Sequence, residues 1–375
     1  MDNIFLSSGL AFLITLFSIP IIIEIAKIKK LFDEPDERKV HTAVIPTLGG
    51  LGIFAGFIIA TLMGVPPAQG LSLQFFIAAI MVIFFLGIKD DILVISASKK
   101  FIGQLVAAGI IIKFGGLHIS NMHGLFGIYE IPNFAGVILT LFTTIVITNS
   151  FNLIDGIDGL AGSLGLLTSL VFGTYFFAAG QLMYAVMGFA LAGSLIAFLI
   201  YNFSPAKIFM GDTGSLIIGL INSIFVIKFI GVASDPASLL SIASAPAIGF
   251  AILIVPLFDT LRVFSLRIIK RRSPFSPDRN HIHHFLLDLG MSHKGISLTC
   301  VSFNILFIAL AYALRNRGTT LVIGALAAAA ILLVSIIFYM SRPRARAAQM
   351  VSEDDNGMVG HNKLYSLAGE TVEQD

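Results

Sequence analysis

The sequence predicts an all-α integral membrane protein of about eleven transmembrane helices, with its N-terminus outside and its C-terminus in the cytoplasm. Composition is the first reason. Hydrophobic residues make up 56% of the 375 and charged residues only 12%, about half the charged fraction of a soluble domain. The second reason is length, because apolar runs of about 17 to 22 residues recur along the chain, each near 30 Å as a helix. The third is that Lys and Arg gather in alternate loops.

The runs fall near residues 4–25, 47–65, 71–88, 101–115, 134–151, 160–178, 183–200, 214–230, 242–262, 296–314 and 319–340. The first has no basic residue before it and Lys27, Lys29 and Lys30 directly after it. It therefore reads as an uncleaved helix rather than a signal peptide. The single cysteine, Cys300, lies inside an apolar run and excludes an intramolecular disulfide and a cysteine metal cluster. Residues 1–340 form one polytopic catalytic domain on this reading. Residues 341–375 are polar, without apolar periodicity, and are expected to be a disordered cytoplasmic tail.

With the N-terminus outside, only Lys113, Lys228, Arg315 and Arg317 of the 24 Lys and Arg fall on the outer side. Basic loops remain cytoplasmic, so the asymmetry fixes orientation. The acids follow the same division, with only Asp2, Glu130 and Asp235 outside. Acidic residues carry little topological weight. A face that collects both signs between apolar helices reads as a working surface in contact with the bilayer, and nothing marks it for nucleic acid.

Five inner segments carry the candidate chemistry. In DEPDERKVHTAVIPTLGG, residues 33–50, Lys39 and His41 stand just before the second helix and could hold an anionic phosphate or simply face headgroups. The glycines that follow fit close helix packing better than a dinucleotide loop, since no strand precedes them. In KDDILVISASKK, residues 89–100, Asp90 and Asp91 repel each other unless a divalent cation or a shared proton lies between them; the plain alternative is a solvated helix end.

The segment NSFNLIDGIDGLAG, residues 149–162, is the most specific. Asn149, Asn152, Asp155 and Asp158 recur every third residue and so share roughly one side of a helix or tight turn. Four polar side chains between apolar runs cost free energy unless they bind a ligand or one another. In NFSPAKIFMGDTGS, residues 202–215, Asp212 sits between glycines as a Mg²⁺ ligand or a helix cap, and Phe209 offers a ring to a base or to the membrane interface. The longest inner loop, residues 265–290, contains Arg279, His281, His283 and His284. No closed tetrahedral zinc set accompanies them, and imidazole with guanidinium suits a diphosphate. Asp259 and Arg262, three residues apart, read as a structural ion pair.

The ordered set Asp90-Asp91, NxxNxxDGxDG, Gly-Asp-Thr-Gly-Ser and DRNHIHH resembles the polyprenyl-phosphate N-acetylhexosamine-1-phosphate transferases of glycosyltransferase family 4 type, over about residues 30–300. HIHH after Pro277, Asp278 and Arg279 is similar to the GlcNAc-1-phosphate branch. HTAVIPTLGG differs from the Lys-Gly-Thr-Pro-Thr stretch of the MurNAc-pentapeptide branch. The resemblance implies a Mg²⁺-dependent enzyme, with Mn²⁺ as a substitute, that moves a sugar-1-phosphate from a UDP-N-acetylhexosamine to undecaprenyl phosphate and releases UMP. GlcNAc is the first choice of sugar.

Carried over by motif, Asp90, Asp91, Asp155 and Asp158 would be catalytic acids, and Asp212 the principal metal ligand with Asp90 and Asp91 beside it. Asn149, Asn152, Asn202 and Phe209 would lie near the nucleotide, and Lys39, His41, Arg279, His281, His283 and His284 near phosphate. Several relatives carry a third acid where this chain has Val94. The setting implied is the cytoplasmic face of a bacterial inner membrane, at the first membrane step of O-antigen, teichoic acid or another surface glycan. A homodimer is compatible with it. An ion-coupled transporter is the rival class, but its acids belong near the midplane rather than at helix ends.

Overall fold

The computed structural model describes residues 2–29, 31, 45–271 and 281–341. Lys39, His41 and Arg279 lie outside the described residues, as does the expected tail of 341–375 beyond Ser341, which is helical. The chain is a bundle of antiparallel helices: α1 (Asp2–Lys29), α2 (Gly49–Gly64), α3 (Leu73–Leu93), α4 (Ala97–Lys113), α5 (Asn133–Ile154), α6 (Leu160–Ala178), α7 (Leu182–Asn202), α8 (Gly211–Ala233), α9 (Ala245–Ile252), α10 (Ile254–Ile269), α11 (Ile282–Asp288), α12 (His293–Leu314) and α13 (Thr319–Ser341). A hairpin, β1 (Asn121–Leu125) paired antiparallel with β2 (Ile128–Glu130), joins α4 to α5 and was not evident in the hydropathy pattern.

Seven helices among the described residues are long and apolar enough to cross a membrane, or eight if α9 and α10 make one bent span. The expectation of about eleven is met only that far. The helix α2 has 16 residues and α4 has 17 with three lysines, while α3, also outside the seven, carries Lys89, Asp90 and Asp91 near its end at Leu93. The inner helices α7 and α8 are the most buried of the spans. The helix α8 packs against α2, α3, α5, α6 and α9, so its ends are placed by most of the bundle.

Glycine lets those neighbours approach. A Cβ at Gly50 on α2 would collide with the backbone of Gly214, and one at Gly87 on α3 with Thr213. Both collisions lie in the first turn of α8, so α2 and α3 close on the segment that carries Asp212. The glycines after His41 thus serve close helix packing. The strap before α2 adds to it, because the Phe209 N–H donates to Pro46 O at 2.7 Å and the Gly49 and Gly50 N–H groups donate to Phe209 O and Met210 O, each at 2.9 Å.

The run at 242–262, expected as one helix, is broken by 84° at Leu253. Pro256 has no N–H to give the preceding turn. The fully buried Asn304 of α12 fills in. Its Nδ2 donates to Ile252 O at 2.9 Å and its Oδ1 accepts from the Val255 N–H at 3.2 Å. Backbone at membrane depth is tolerated away from a helix only when protein satisfies it in this way. Asn304→Leu strands both groups, at about 1–3 kcal/mol each, and is expected to lower the thermal midpoint. A thiol-reactive dye reads this directly, since the one cysteine, Cys300, is buried until the chain unfolds.

Candidate active site

The Asp-bearing segments meet at one end of the bundle, where α3, α5, α7 and α10 finish and α4, α6, α8 and α12 begin. The first turn of α8 is the centre. A helix start has N–H groups without intrahelical acceptors, usually met by a capping side chain of its own. Here the cap residue, Met210, supplies none. Asp91 of α3 does it instead. Its Oδ1 accepts from the Asp212 N–H at 2.7 Å, and its Oδ2 accepts from the Thr213 N–H at 3.1 Å and the Thr213 hydroxyl at 2.5 Å.

Asp90 points to a different partner. Its Oδ1 accepts from the Ile95 N–H at 2.8 Å, and its Oδ2 lies 2.5 Å from Lys100 Nζ. The same ammonium is 2.5 Å from Asp212 Oδ2. Two carboxylates from α3 and α8 therefore converge on one cation. The other Asp212 oxygen accepts from Asn152 Nδ2 at 2.9 Å, and that amide also reaches Ser215 Oγ at 3.1 Å. One turn earlier, Asn149 exchanges hydrogen bonds with Gln104 of α4, 2.8 and 3.3 Å long.

Lys100 and Gln104 are not among the residues that the sequence motifs single out. A signal existed, because Lys100 stands near the start of α4, where the helix dipole disfavours a cation unless a carboxylate answers it.

Asp155 is different from its neighbours. It ends α5, and among the described residues its carboxylate has neither a hydrogen bond nor an ion pair. Burial first, and then the negative charges of Asp212, Asp91 and Asp158, raise its carboxyl to about 8. It is the acid in the cluster left available for a proton or a ligand. Asp158 is buried and braces the turn: its Oδ2 accepts from the Ala206 N–H at 3.2 Å and sits 3.3 Å from His293 Nδ1. Asn202 is likewise buried, accepting from the Gly159 N–H and donating to Ile208 O, each at 2.9 Å. Its amide ties the DGxDG turn to the segment that carries Phe209.

The histidine segment closes the same end. His281 Nδ1 is 2.8 Å from Asp259 Oδ2, while Asp259 Oδ1 accepts from the Ile282 N–H at 3.0 Å and from Arg262 Nη2 at 2.9 Å. The expected Asp259–Arg262 pair is present, and it also orients an imidazole. His283 lies over the DGxDG turn, where a Cβ at Gly156 would come within 2.8 Å of Nε2. Burial, with the His284 charge second, pushes the His283 imidazole down to about 3, so it is neutral at physiological pH. His284 packs on His283 with ring centroids 4.4 Å apart.

Among the described residues no three His, Cys, Asp or Glu side chains form a ready metal cage. The Asp90–Asp212 pair nevertheless has the chemistry of a Mg²⁺ site, which commonly takes one or two carboxylates and completes its shell with water and substrate phosphate. A positive charge already sits where the two meet.

Comparison with known proteins places this arrangement. The model of glycosyl transferase family 4 matches residues 73–230, which span the acids from Asp90 to Asp212. A probable undecaprenyl-phosphate N-acetylglucosaminyl 1-phosphate transferase of Bacillus subtilis is 34% identical over 325 residues, covering 84% of this chain and 87% of the relative.

The chain belongs to glycosyl transferase family 4. Two further family members agree. A decaprenyl-phosphate N-acetylglucosaminephosphotransferase of Mycobacterium tuberculosis is 34% identical over 286 residues, 70% of each chain. An undecaprenyl-phosphate alpha-N-acetylglucosaminyl 1-phosphate transferase of Escherichia coli K12 is 31% identical over 276 residues, 72% of this chain and 73% of the relative.

The state of Asp155 has a measurable consequence. A carboxyl near 8 when folded and about 3.9 when unfolded binds its proton more tightly in the folded chain. The sign follows from linkage: stability is highest below about pH 4 for this group and is lost as pH rises to about 8. Without added divalent cation, thermal midpoints are expected to fall between pH 5 and pH 8, and Asp155→Asn is expected to flatten that slope. Lys100→Met should steepen it, because Asp90 and Asp212 then repel without a cation between them.

Proposed function

We propose that this chain transfers N-acetylglucosamine-1-phosphate from UDP-GlcNAc to undecaprenyl phosphate, releasing UMP, on the cytoplasmic face of a bacterial inner membrane. The observation that carries the reading is the Asp155 carboxylate, without a hydrogen bond or ion pair among the described residues, at the same end of the bundle as the Lys100-bridged Asp90 and Asp212. The names of three relatives with 31–34% identity support the substrates. The concentration of Lys and Arg in the loops at this end supports the cytoplasmic face. The reaction would be the first membrane step of a surface polysaccharide, such as O-antigen or teichoic acid.

Both substrates are anions, so the site must first offset repulsion. Lys100 supplies one positive charge. Mg²⁺, or Mn²⁺ in its place, held by Asp90 and Asp212, would supply more and withdraw charge from the diphosphate. An oxygen of the lipid phosphate attacks the phosphorus attached to the sugar. A new P–O bond forms as the bond to the bridging oxygen breaks, and UMP leaves with that electron pair.

In its ionised form, the minor one at pH 7 for a carboxyl near 8, Asp155 takes the remaining proton of the acceptor phosphate, whose second ionisation lies near pH 6. The alternative, attack by an aspartate to give an acyl phosphate, is disfavoured at Asp90 and Asp91. Asp91 spends both oxygens on three donors, and Asp90 is held by Ile95 and Lys100. A lone pair already accepting a hydrogen bond is a weaker nucleophile. Asn152 fixes Asp212, and the neutral His283 with its neighbours forms the wall nearest the DGxDG turn.

Purified chain given UDP-GlcNAc, undecaprenyl phosphate and Mg²⁺ is expected to release UMP. Silence with every UDP-N-acetylhexosamine would reject the assignment. Sugar uptake into vesicles without UMP would point to transport. Asp155→Asn should lower kcat about 10²- to 10⁴-fold with the UDP-GlcNAc KM little changed. Asp212→Asn should raise the Mg²⁺ concentration needed for half-maximal rate, and an unchanged Mg²⁺ requirement would count against the ligand role.

A further inference from the structure

We infer that the opposite end of the bundle holds a second anion site, for a phosphate group, built around Lys228 in a cavity that the transfer chemistry does not use. Lys228 is sixteen residues beyond Asp212 on α8, a separation of about 24 Å at 1.5 Å per residue. The two sites thus face different sides of a bilayer-sized bundle. The inference is independent of the reading of the carboxylate site.

The cavity has a volume of about 640 Å³, within the range that holds a small molecule or headgroup. Gly116, His118, Gln181, Lys228, Gly231 and Asp235 line it. These come from the ends of α4 and α8 and from the turn between α6 and α7. Lys228 stands inside the helix, more than a turn before its end at Ala233, and is half-buried.

Its ammonium lies 5.2 Å from the centre of the Tyr184 ring. Among the described residues it has no carboxylate within ion-pair distance. Asp235 lines the same cavity, but its carboxylate accepts from the Ala237 N–H, at 2.9 Å, within its own turn.

A cation set into a membrane helix is costly and normally faces a partner or a water-filled path. An aromatic face compensates it only in part. Phosphate oxygens are the chemistry that a single ammonium on a flexible stem meets well, as a point charge. Gln181 and His118 add polar lining. Phosphate could come from a phospholipid headgroup of the outer leaflet or from solution, and an experiment can separate the two.

The full chain, in a neutral sugar detergent, is titrated with short-chain phosphatidylglycerol, with inorganic phosphate, and with diacylglycerol as the phosphate-free control. Native mass spectrometry reads the bound fraction, in the wild type and in Asp212→Asn, so that phosphate taken up at the carboxylate site is recognised. Lys228→Met is expected to weaken the phosphate-bearing probe about tenfold or more, with diacylglycerol unchanged and both effects preserved in the Asp212→Asn background.

Gly231→Leu gives a second route, since a Cβ at Gly231 meets open space and a larger side chain would fill the cavity without disturbing the helix packing. It should abolish binding even if Lys228→Met fails to fold. Saturation by phosphatidylglycerol alone assigns the site to a headgroup, and competition by inorganic phosphate assigns it to phosphate from either source. Equal binding in wild type and Gly231→Leu, or no binding of either phosphate probe to the wild type, would overturn the site.

Discussion

Four carboxylates, Asp90, Asp91, Asp155 and Asp212, share one end of an apolar bundle, and their mutual repulsion must be offset before anything can bind there. The chain offsets it with two positive elements. One is Lys100, placed between Asp90 and Asp212 at 2.5 Å from each. The other is the N-terminal turn of α8, whose N–H groups are held by Asp91. Only Asp155 of the four is left without a hydrogen bond or ion pair among the described residues, and burial first, then the charges of its neighbours, raises its carboxyl. The rest of the site depends on this unequal division of charge.

The division requires α3, α4, α5 and α8 to meet within hydrogen-bonding distance, and small residues make that approach feasible. Side chains at positions 50 and 87 would drive α2 and α3 away from the turn that carries Asp212 and Thr213. Moving α3 by one side chain would withdraw Asp91 from its three donors and Asp90 from Lys100. Packing in the apolar layer and electrostatics at its end are therefore one constraint, acting through the same two helices.

Much of this was legible in the sequence. The spacing Asn149, Asn152, Asp155, Asp158 marked one polar segment, but α5 ends at Ile154, so only the two asparagines lie on the helix and Asp158 belongs to the turn that follows. The glycine-flanked Asp212, read as a Mg²⁺ ligand or a helix cap, lies in the first turn of α8, where the cap position belongs to Met210. What composition could not show was which partner each acid takes. Lys100 lies 112 positions from Asp212, and pairing at that distance is decided by tertiary packing. The break at Leu253 was hidden for a similar reason, since the side chain that makes it affordable belongs to α12. The hairpin at residues 121–130 carries too few residues for its alternation to stand out against eleven apolar runs.

A shared motif, then, does not mean shared roles within it. Asp91 and Asp155 both belong to the acids that the family pattern brings together, yet one has its oxygens filled by helix donors and the other, among the described residues, has none. Loss of activity on replacing Asp91 would follow from a displaced α8 as readily as from lost chemistry. The two origins separate by how they act. A loosened helix start moves Asp212 and so weakens both cation affinity and folding, whereas a missing proton acceptor lowers turnover and leaves the fold intact. On the geometry, Asp91 belongs to the first kind, and the role proposed for Asp155 would put it in the second. The aspartate pair at Asp90-Asp91, adjacent in sequence, is thus divided between holding a cation and holding a helix.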